Sequence, residues 1–262
     1  MEIINRQTKD DLISWIRKTY KEIPYPNSDS CSLVIGISGN MDSAITAALC
    51  AEAVGTDKII GVIMPYGKDG NKYNAVQICN YLNINYIEAD ITDSIKQLKN
   101  CYHEMYIPST DEYIDFGNDY NINCISPGMK EITRMLVLRM IANSFNGLVV
   151  NTCNLSERYT DKFHDSNYSN CGYLAPIINL TDDEVMSIGR YMELPDYFFI
   201  RSFYDEFSET DYSDVNNYIR TGKCDNEAVA KEYFTMMRQS IESDALPYKF
   251  YPNSEITVSF FD

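Results

Sequence analysis

Histidine and tryptophan are scarce in this 262-residue chain: it has two histidines, His103 and His164, and one tryptophan. Two histidines exclude a His-rich metal site, and a Ser-His-Asp hydrolase would have to be built on one of them. Positive charge is short as well, with 22 Lys and Arg against 38 Asp and Glu and a formal net charge of −16. That balance excludes nucleic-acid binding through an overall basic field, though not a local basic pocket for a nucleotide. No apolar run approaches the ~18 residues of a membrane span. The N-terminal MEIINRQTKDDLISWIRK lacks the apolar middle segment of a signal peptide. The expectation is a soluble, cytoplasmic protein that engages neither membrane nor nucleic acid. No C-x-x-C occurs among the eight cysteines and no two are closer than 18 residues, so zinc and thioredoxin-like readings lack support. Cys31, Cys50 and Cys79 sit among apolar residues and are expected as buried free thiols.

What is present is a globular composition, 45% hydrophobic with 21 Tyr and 11 Phe, enough for a sizeable core. Residues 5–22, with Leu12, Ile13, Trp15 and Ile16, predict an amphipathic helix that Pro24 and Pro26 stop. The run 31–37 reads as a central parallel strand buried on both faces. It breaks at Ser38-Gly39-Asn40-Met41-Asp42-Ser43, and an Ala-rich helix from Ser43 to Val54 follows, closed by Gly55. Strands are expected at 59–64 and 85–91 with a helix over 71–82 between them. This alternation predicts an α/β fold, a doubly wound parallel sheet flanked by helices. A polar, irregular stretch at 100–126 precedes a helix from about Pro127 to Asn143, then a strand at 147–151. The polar connection 154–172 reads as a solvated loop or substrate lid. Thr181 with Glu184 forms a capping box that opens a helix over 181–194. Two more helices, 211–223 and 226–243, and an extended tail after Pro247 complete a single domain over 1–262 with a helical C-terminal appendage.

The turn 38–43 carries the chemistry. Successive backbone N–H groups ahead of a helix make an anion cradle, and the Ser38 and Ser43 hydroxyls add donors. Asp42 repels an anion there unless a divalent cation lies between carboxylate and phosphate. The turn lacks the lysine and the length of a P-loop. The competing reading makes it a strand–turn–helix corner with Asp42 at the helix start.

The segment LVIGISGNMDSAITAALCAEAVG closely resembles the S-G-G-x-D-S pyrophosphate-binding motif of the N-type ATP pyrophosphatases, and most of all the ammonia-dependent NAD synthetase family. Further resemblances follow in family order: GVIMPYG at 61–67, RMLVLRMIAN at 134–143, LVVNTCNLSE at 148–157, LAPIINLTDDEV at 174–185 and DYSDVNNYIRTGK at 211–223. The resemblance implies adenylation of nicotinic acid adenine dinucleotide by ATP, release of pyrophosphate, and displacement of AMP by ammonia to give NAD. By matching position it implies ATP binding by Gly36, Ile37, Ser38, Gly39, Asn40, Met41, Asp42, Ser43 and Thr152. It implies catalytic roles for Asp42 and Ser43, magnesium on Asp42 and Glu157, and substrate contacts from Arg134 and Lys162. It also implies a homodimer through the helix 127–143, which is apolar around more than half its circumference. No glutamine amidotransferase arrangement is read in these residues, and the expected amino donor is free ammonia or ammonia from a separate partner.

Departures from the pattern share a direction. Asn40 stands in place of the motif's second glycine, a change that Asn's tolerance of positive φ would accommodate. Ile63 replaces an arginine, Asp182 an ATP-contacting lysine, and Ser243-Asp244-Ala245 a basic cluster. His164 to Tyr168 replace a lid segment that contains a lysine. Three explanations stay open: an alignment slip, substitution by other lysines such as Lys162, Lys68 or Lys72, and a changed acceptor, with a degenerate non-catalytic relative as the further alternative.

Overall fold

The computed structural model describes residues 4–22, 31–68, 71–103, 106–107, 112–113, 129–159, 172–200, 216–221 and 248–249. A parallel sheet in the order β3-β2-β1-β6-β7-β8 organises them. Its strands are β1 (Ser32–Gly36), β2 (Ile59–Ile63), β3 (Asn85–Glu88), β6 (Gly147–Val150), β7 (Leu174–Ala175) and β8 (Tyr248–Lys249). Strands β4 (Tyr106–Ile107) and β5 (Glu112–Tyr113) form a separate antiparallel pair. The helices are α1 (Arg6–Glu22), α2 (Met41–Val54), α3 (Lys72–Leu82), α4 (Thr92–His103), α5 (Met129–Ser144), α6 (Leu155–Tyr159) and α7 (Asp182–Tyr191). Residues 216–221 are also helical.

β1 and β2 are central because their side chains are apolar on both faces, so each can be covered from two sides. Leu33 and Ile35 point into a core with Leu12 and Ile16 of α1, Leu49 of α2 and Ile188 of α7. Val34 points the other way, into a second core with Val62, Ile95 of α4, Leu138 of α5 and Val149. Each such buried aliphatic contributes ~1.5–3 kcal/mol relative to exposure. β3 is mostly exposed and lies at the sheet edge. Helix α2 is buried along nearly its whole length, and Gly189 lets α7 approach it: a Cβ there would stand 2.7 Å from Ile45 Cδ1.

The expected elements stand within a few residues of their observed bounds. Helix α2 starts at Met41 rather than Ser43 because Asn40 is already extended, with its carbonyl accepting the Ala44 N–H. The connection 154–172, expected as a solvated loop or lid, opens with helix α6, and Asn154 and Ser156 there are buried. Helix α4 also has no counterpart in the expected elements. Its start is an Asx turn, Thr92 N–H to Asp90 Oδ1 at 2.8 Å. The capping box at Thr181 and Glu184 is present. Cys31, Cys50 and Cys79 are free and buried, and burial pushes the Cys50 and Cys79 thiols up to about 12. The tail beyond Pro247 contributes β8 to the sheet beside β7. Of the two expected C-terminal helices, 211–223 is described and helical over 216–221, and 226–243 lies outside the described residues. Among the described residues no helix is long and apolar enough to cross a membrane.

Candidate active site

The sheet sets the location. After β1 the chain moves outward to β2 and β3, and the later strands β6, β7 and β8 lie on the other side of β1. β1 and β6 are therefore neighbours where the winding reverses, with Ile35 opposite Val150. A crevice at such a switch point, outside the carboxyl ends of the strands, is where open α/β sheets take ligands. The two loops that leave β1 and β6 are the turn 37–40 and the segment 151–154.

The first loop is held by neutral hydrogen bonds. Ser38 and Ser43 place their hydroxyl oxygens 3.0 Å apart, Ser43 Oγ accepts the Ser38 N–H at 3.1 Å, and Ser38 Oγ accepts the Asn40 N–H at 3.2 Å. Ser43 Oγ also donates to the Asn40 carbonyl at 3.0 Å. Gly39 has φ +86°, and a Cβ there would meet the Asn71 carbonyl oxygen at 2.5 Å. Asn74 of α3 donates to the Gly39 and Tyr197 carbonyls. The Met41 N–H, at the start of α2, donates to the Ile200 carbonyl at 2.7 Å. The cradle is thus braced from α3 and from residues 197–200, and three of its backbone N–H groups are engaged within the protein. Asn40 departs from expectation: its φ is −104°, so positive φ is not what position 40 requires. Its Oδ1 accepts from Asn71 Nδ2 at 2.8 Å instead.

The second loop brings carboxylates to the first. Asn154 Nδ2 donates to Asp42 Oδ1 at 2.9 Å. Asn154 Oδ1 accepts the Glu157 N–H at 2.8 Å, and Glu157 Oε2 accepts the Asn154 N–H at 3.2 Å. Asp42 keeps part of its surface open, yet protein surrounds it closely. That burial, then the Glu157 charge, hold its carboxyl well above the usual range, with Asp182 adding to the rise and Asn154 opposing it. Asp182 is buried at the first position of α7, and its N–H donates to Ser156 Oγ at 2.9 Å. The acid that replaces a lysine in the resemblance therefore acts electrostatically on Asp42. Behind it, Ser156 bonds Asn216, whose Nδ2 donates to Asp183 Oδ2 at 2.9 Å. Arg220 grips Glu184 with two nitrogens and the Asn179 carbonyl at 3.1 Å.

Gly36 ends β1, the buried Ile37 continues its ladder to the Val62 carbonyl, and Thr152 follows β6. Arg134 lies on α5, 3.5 Å from Glu131 one turn before it. Lys162, His164 and the lid segment lie outside the described residues. Of the other candidate cations, Lys72 pairs with Glu88 at 2.6 Å. Lys130, not singled out from sequence, stands 4.8 Å over the Tyr66 ring. Asn71, Asn74, Ile200, Asn216 and Arg220 were also missed. Each acts across a long sequence separation, and the only signals were membership of the resembling segments, 211–223 for Asn216 and Arg220 and 148–157 for Asn154. Among the described residues no group of three or more His, Cys, Asp or Glu could hold a metal by itself.

Sheet order, switch-point crevice and hydroxyl-lined turn define an α/β protein of the adenine nucleotide alpha-hydrolase-like class. The family model described as NAD synthase matches residues 10–204, and the chain belongs to that family. It is 34% identical over 185 residues to the NH(3)-dependent NAD(+) synthetase of Thermococcus sibiricus, covering 70% of this chain and 64% of that one. The match thus spans just under two thirds of that relative's length. Among solved structures, the fold is shared with NMN synthetase from Francisella tularensis, with TM-score 0.73, 18% identity, and coverage of 94% of this chain and 98% of that one. It is shared too with the NH3-dependent NAD synthetase of Campylobacter jejuni, with TM-score 0.66, 20% identity, and coverage of 93% and 98%.

Proposed function

We propose that the chain amidates nicotinic acid adenine dinucleotide to NAD, using ATP and ammonia through an acyl-adenylate, with release of pyrophosphate and AMP. The observation that carries this reading is the meeting of the two loops at the switch point, where Asn154 joins the Asp42 and Glu157 loops beside the Ser38–Ser43 turn. A carboxylate is a poor electrophile, and adenylation turns one of its oxygens into a leaving group. The residues' task is to hold ATP and acceptor in line and to neutralise phosphate charge. Ser38, Gly39 and Ser43 would cradle the phosphates, with Thr152 beside them.

Two carboxylates beside a phosphate cradle fit magnesium, which takes one or two carboxylates together with substrate phosphates and water. When bound it would supply charge neutralisation on the departing pyrophosphate. Asp42 and Glu157 are the residues that would hold it. Arg134 and Lys162 are proposed contacts of the acceptor.

The chain is proposed to work in the cytoplasm as one domain and as a homodimer. Ile132, Leu136 and Met140 are 47%, 56% and 61% exposed on one side of α5. Four-residue spacing makes them a continuous apolar ridge that a second copy would cover. A monomer in sedimentation at micromolar concentration would remove the dimer.

A second reading, a different acceptor, is favoured by His164 to Tyr168, which replace a lysine-bearing lid segment in the resemblance. An acceptor site without that cation is weaker for a dinucleotide's pyrophosphate. The test is pyrophosphate release from ATP and magnesium with the dinucleotide, with nicotinic acid mononucleotide, and with neither. Release that depends on the dinucleotide and is lost in Asp42→Ala is expected. Release with the mononucleotide alone selects the second reading, and ATP binding without release under any condition overturns both.

A further inference from the structure

Asn154 is 1% exposed and lies where the two loops meet. Its side chain and backbone make three bonds with two specific acids or their backbone: Nδ2 to Asp42 Oδ1, Oδ1 from the Glu157 N–H, and its own N–H to Glu157 Oε2. We infer that Asn154 is a positioning residue for a divalent cation: its carboxamide orients Asp42 while its backbone N–H orients Glu157, so that both acids face one ion. This inference rests on the proposed role of those two acids and adds the group that aligns them.

The argument is geometric. Asp42 rides on α2 and Glu157 on α6, and Asp42 lies 112 residues from Asn154 in sequence. Two like charges brought close repel and would turn apart in the absence of the cation. A carboxamide has a donor edge and an acceptor edge on one planar group, so it can meet a carboxylate and an N–H at once. Aspartate at 154 would offer only acceptors. Serine would keep an oxygen to cap the Glu157 N–H, but it is too short to serve both partners. Helix α6 has a separate anchor, Ser156 to Asn216 and to the Asp182 N–H. Losing the Asn154 amide therefore need not release the helix.

The test compares wild type with Asn154→Ser in the full chain, with Asn154→Thr as a second uncharged variant that also keeps an oxygen for the cap. Manganese is the probe, titrated in the presence of ATP and followed by the electron paramagnetic resonance of the free ion. ATP affinity in chelator and the thermal midpoint are measured alongside. The expected result is roughly ten- to hundred-fold weaker manganese binding in both variants, the usual effect of removing a residue that orients a metal ligand. Metal-free ATP affinity should stay within about two-fold and the midpoint within a few degrees. Wild-type manganese affinity in either folded variant overturns the inference, as does a loss matched by metal-free ATP binding. A wild-type chain whose ATP binding is indifferent to manganese overturns the metal site, and this inference with it.

Discussion

The two sides of the crevice are built from different materials. On the β1 side, the turn 38–43 is held by hydroxyls, carboxamides and backbone groups, and its braces from Asn71, Asn74 and Ile200 are neutral too. On the β6 side, α7 and residues 216–221 are tied together through the acids Asp183 and Glu184, closed by Arg220, and α6 joins them through the Ser156 hydroxyl. A neutral lattice of donors can accept a phosphate without removing a competing charge. An acidic lattice cannot, so its acids must be neutralised by the protein itself or by a cation that arrives with the ligand. Glu184 belongs to the first kind, since Arg220 meets both its oxygens. Asp42 and Glu157 form the boundary between the two materials and belong to the second.

The sharpest way to break the comparison is to remove the internal cation. Among the described residues, Arg220→Leu would leave Glu184, whose side chain is 9% exposed, with only its capping bond from the Thr181 N–H at 2.7 Å. Breaking a buried pair by deleting one partner costs ~3–5 kcal/mol. Urea unfolding should register a loss of that size. A loss below ~1 kcal/mol would mean that the acidic side is held by packing and that the contrast is superficial.

Local and distant interactions explain what could be read in advance. Strands β1, β2 and β6 announce themselves as short apolar runs, and the Thr181–Glu184 box is complete within four residues, so both are legible in sequence. Gly55 closes α2 with φ +99°, as a glycine after an Ala-rich run suggests. Helix α4 escaped because its inward positions are sparse, Ile91 just before it and Ile95 within it, set among polar residues. Asn40 shows the opposite failure. Its residue type suggested a tolerated backbone conformation, whereas its place is fixed by Asn71, 31 residues away. The link from Asn154 to Asp42 was invisible for the same reason, although each residue lay within a motif that sequence had marked.

The neutral side makes a smaller claim, tested by Gly39→Ala. The residue occupies φ +86°, and an added methyl would press on the Asn71 carbonyl oxygen. A left-handed conformation costs an L-residue ~1–2 kcal/mol, and relieving the clash means moving the turn. ATP affinity should fall by roughly ten-fold, corresponding to about 1.4 kcal/mol, while urea unfolding shows that the fold is retained. Undiminished ATP binding would show that phosphates do not depend on the shape of this turn.

The smallest effect is expected at Asn40. Its φ of −104° is ordinary for any residue, so Asn40→Gly relieves no strain and gains nothing at the backbone. The substitution loses the bond from Asn71 Nδ2 at 2.8 Å, which is half-buried and of the kind that contributes ~1 kcal/mol. Glycine adds backbone entropy to the unfolded chain, worth about 0.5–1 kcal/mol more in regular structure and less in a turn. The thermal midpoint should drop by only ~2–4 °C, and ATP affinity should change by less than about three-fold, since Asn40 Oδ1 is engaged by α3. A gain in ATP affinity would instead show that the side chain obstructs the phosphates. The brace between the Ser38–Ser43 turn and α3 would then restrain the cradle rather than form it, and the neutral side would no longer be the ready half of the crevice.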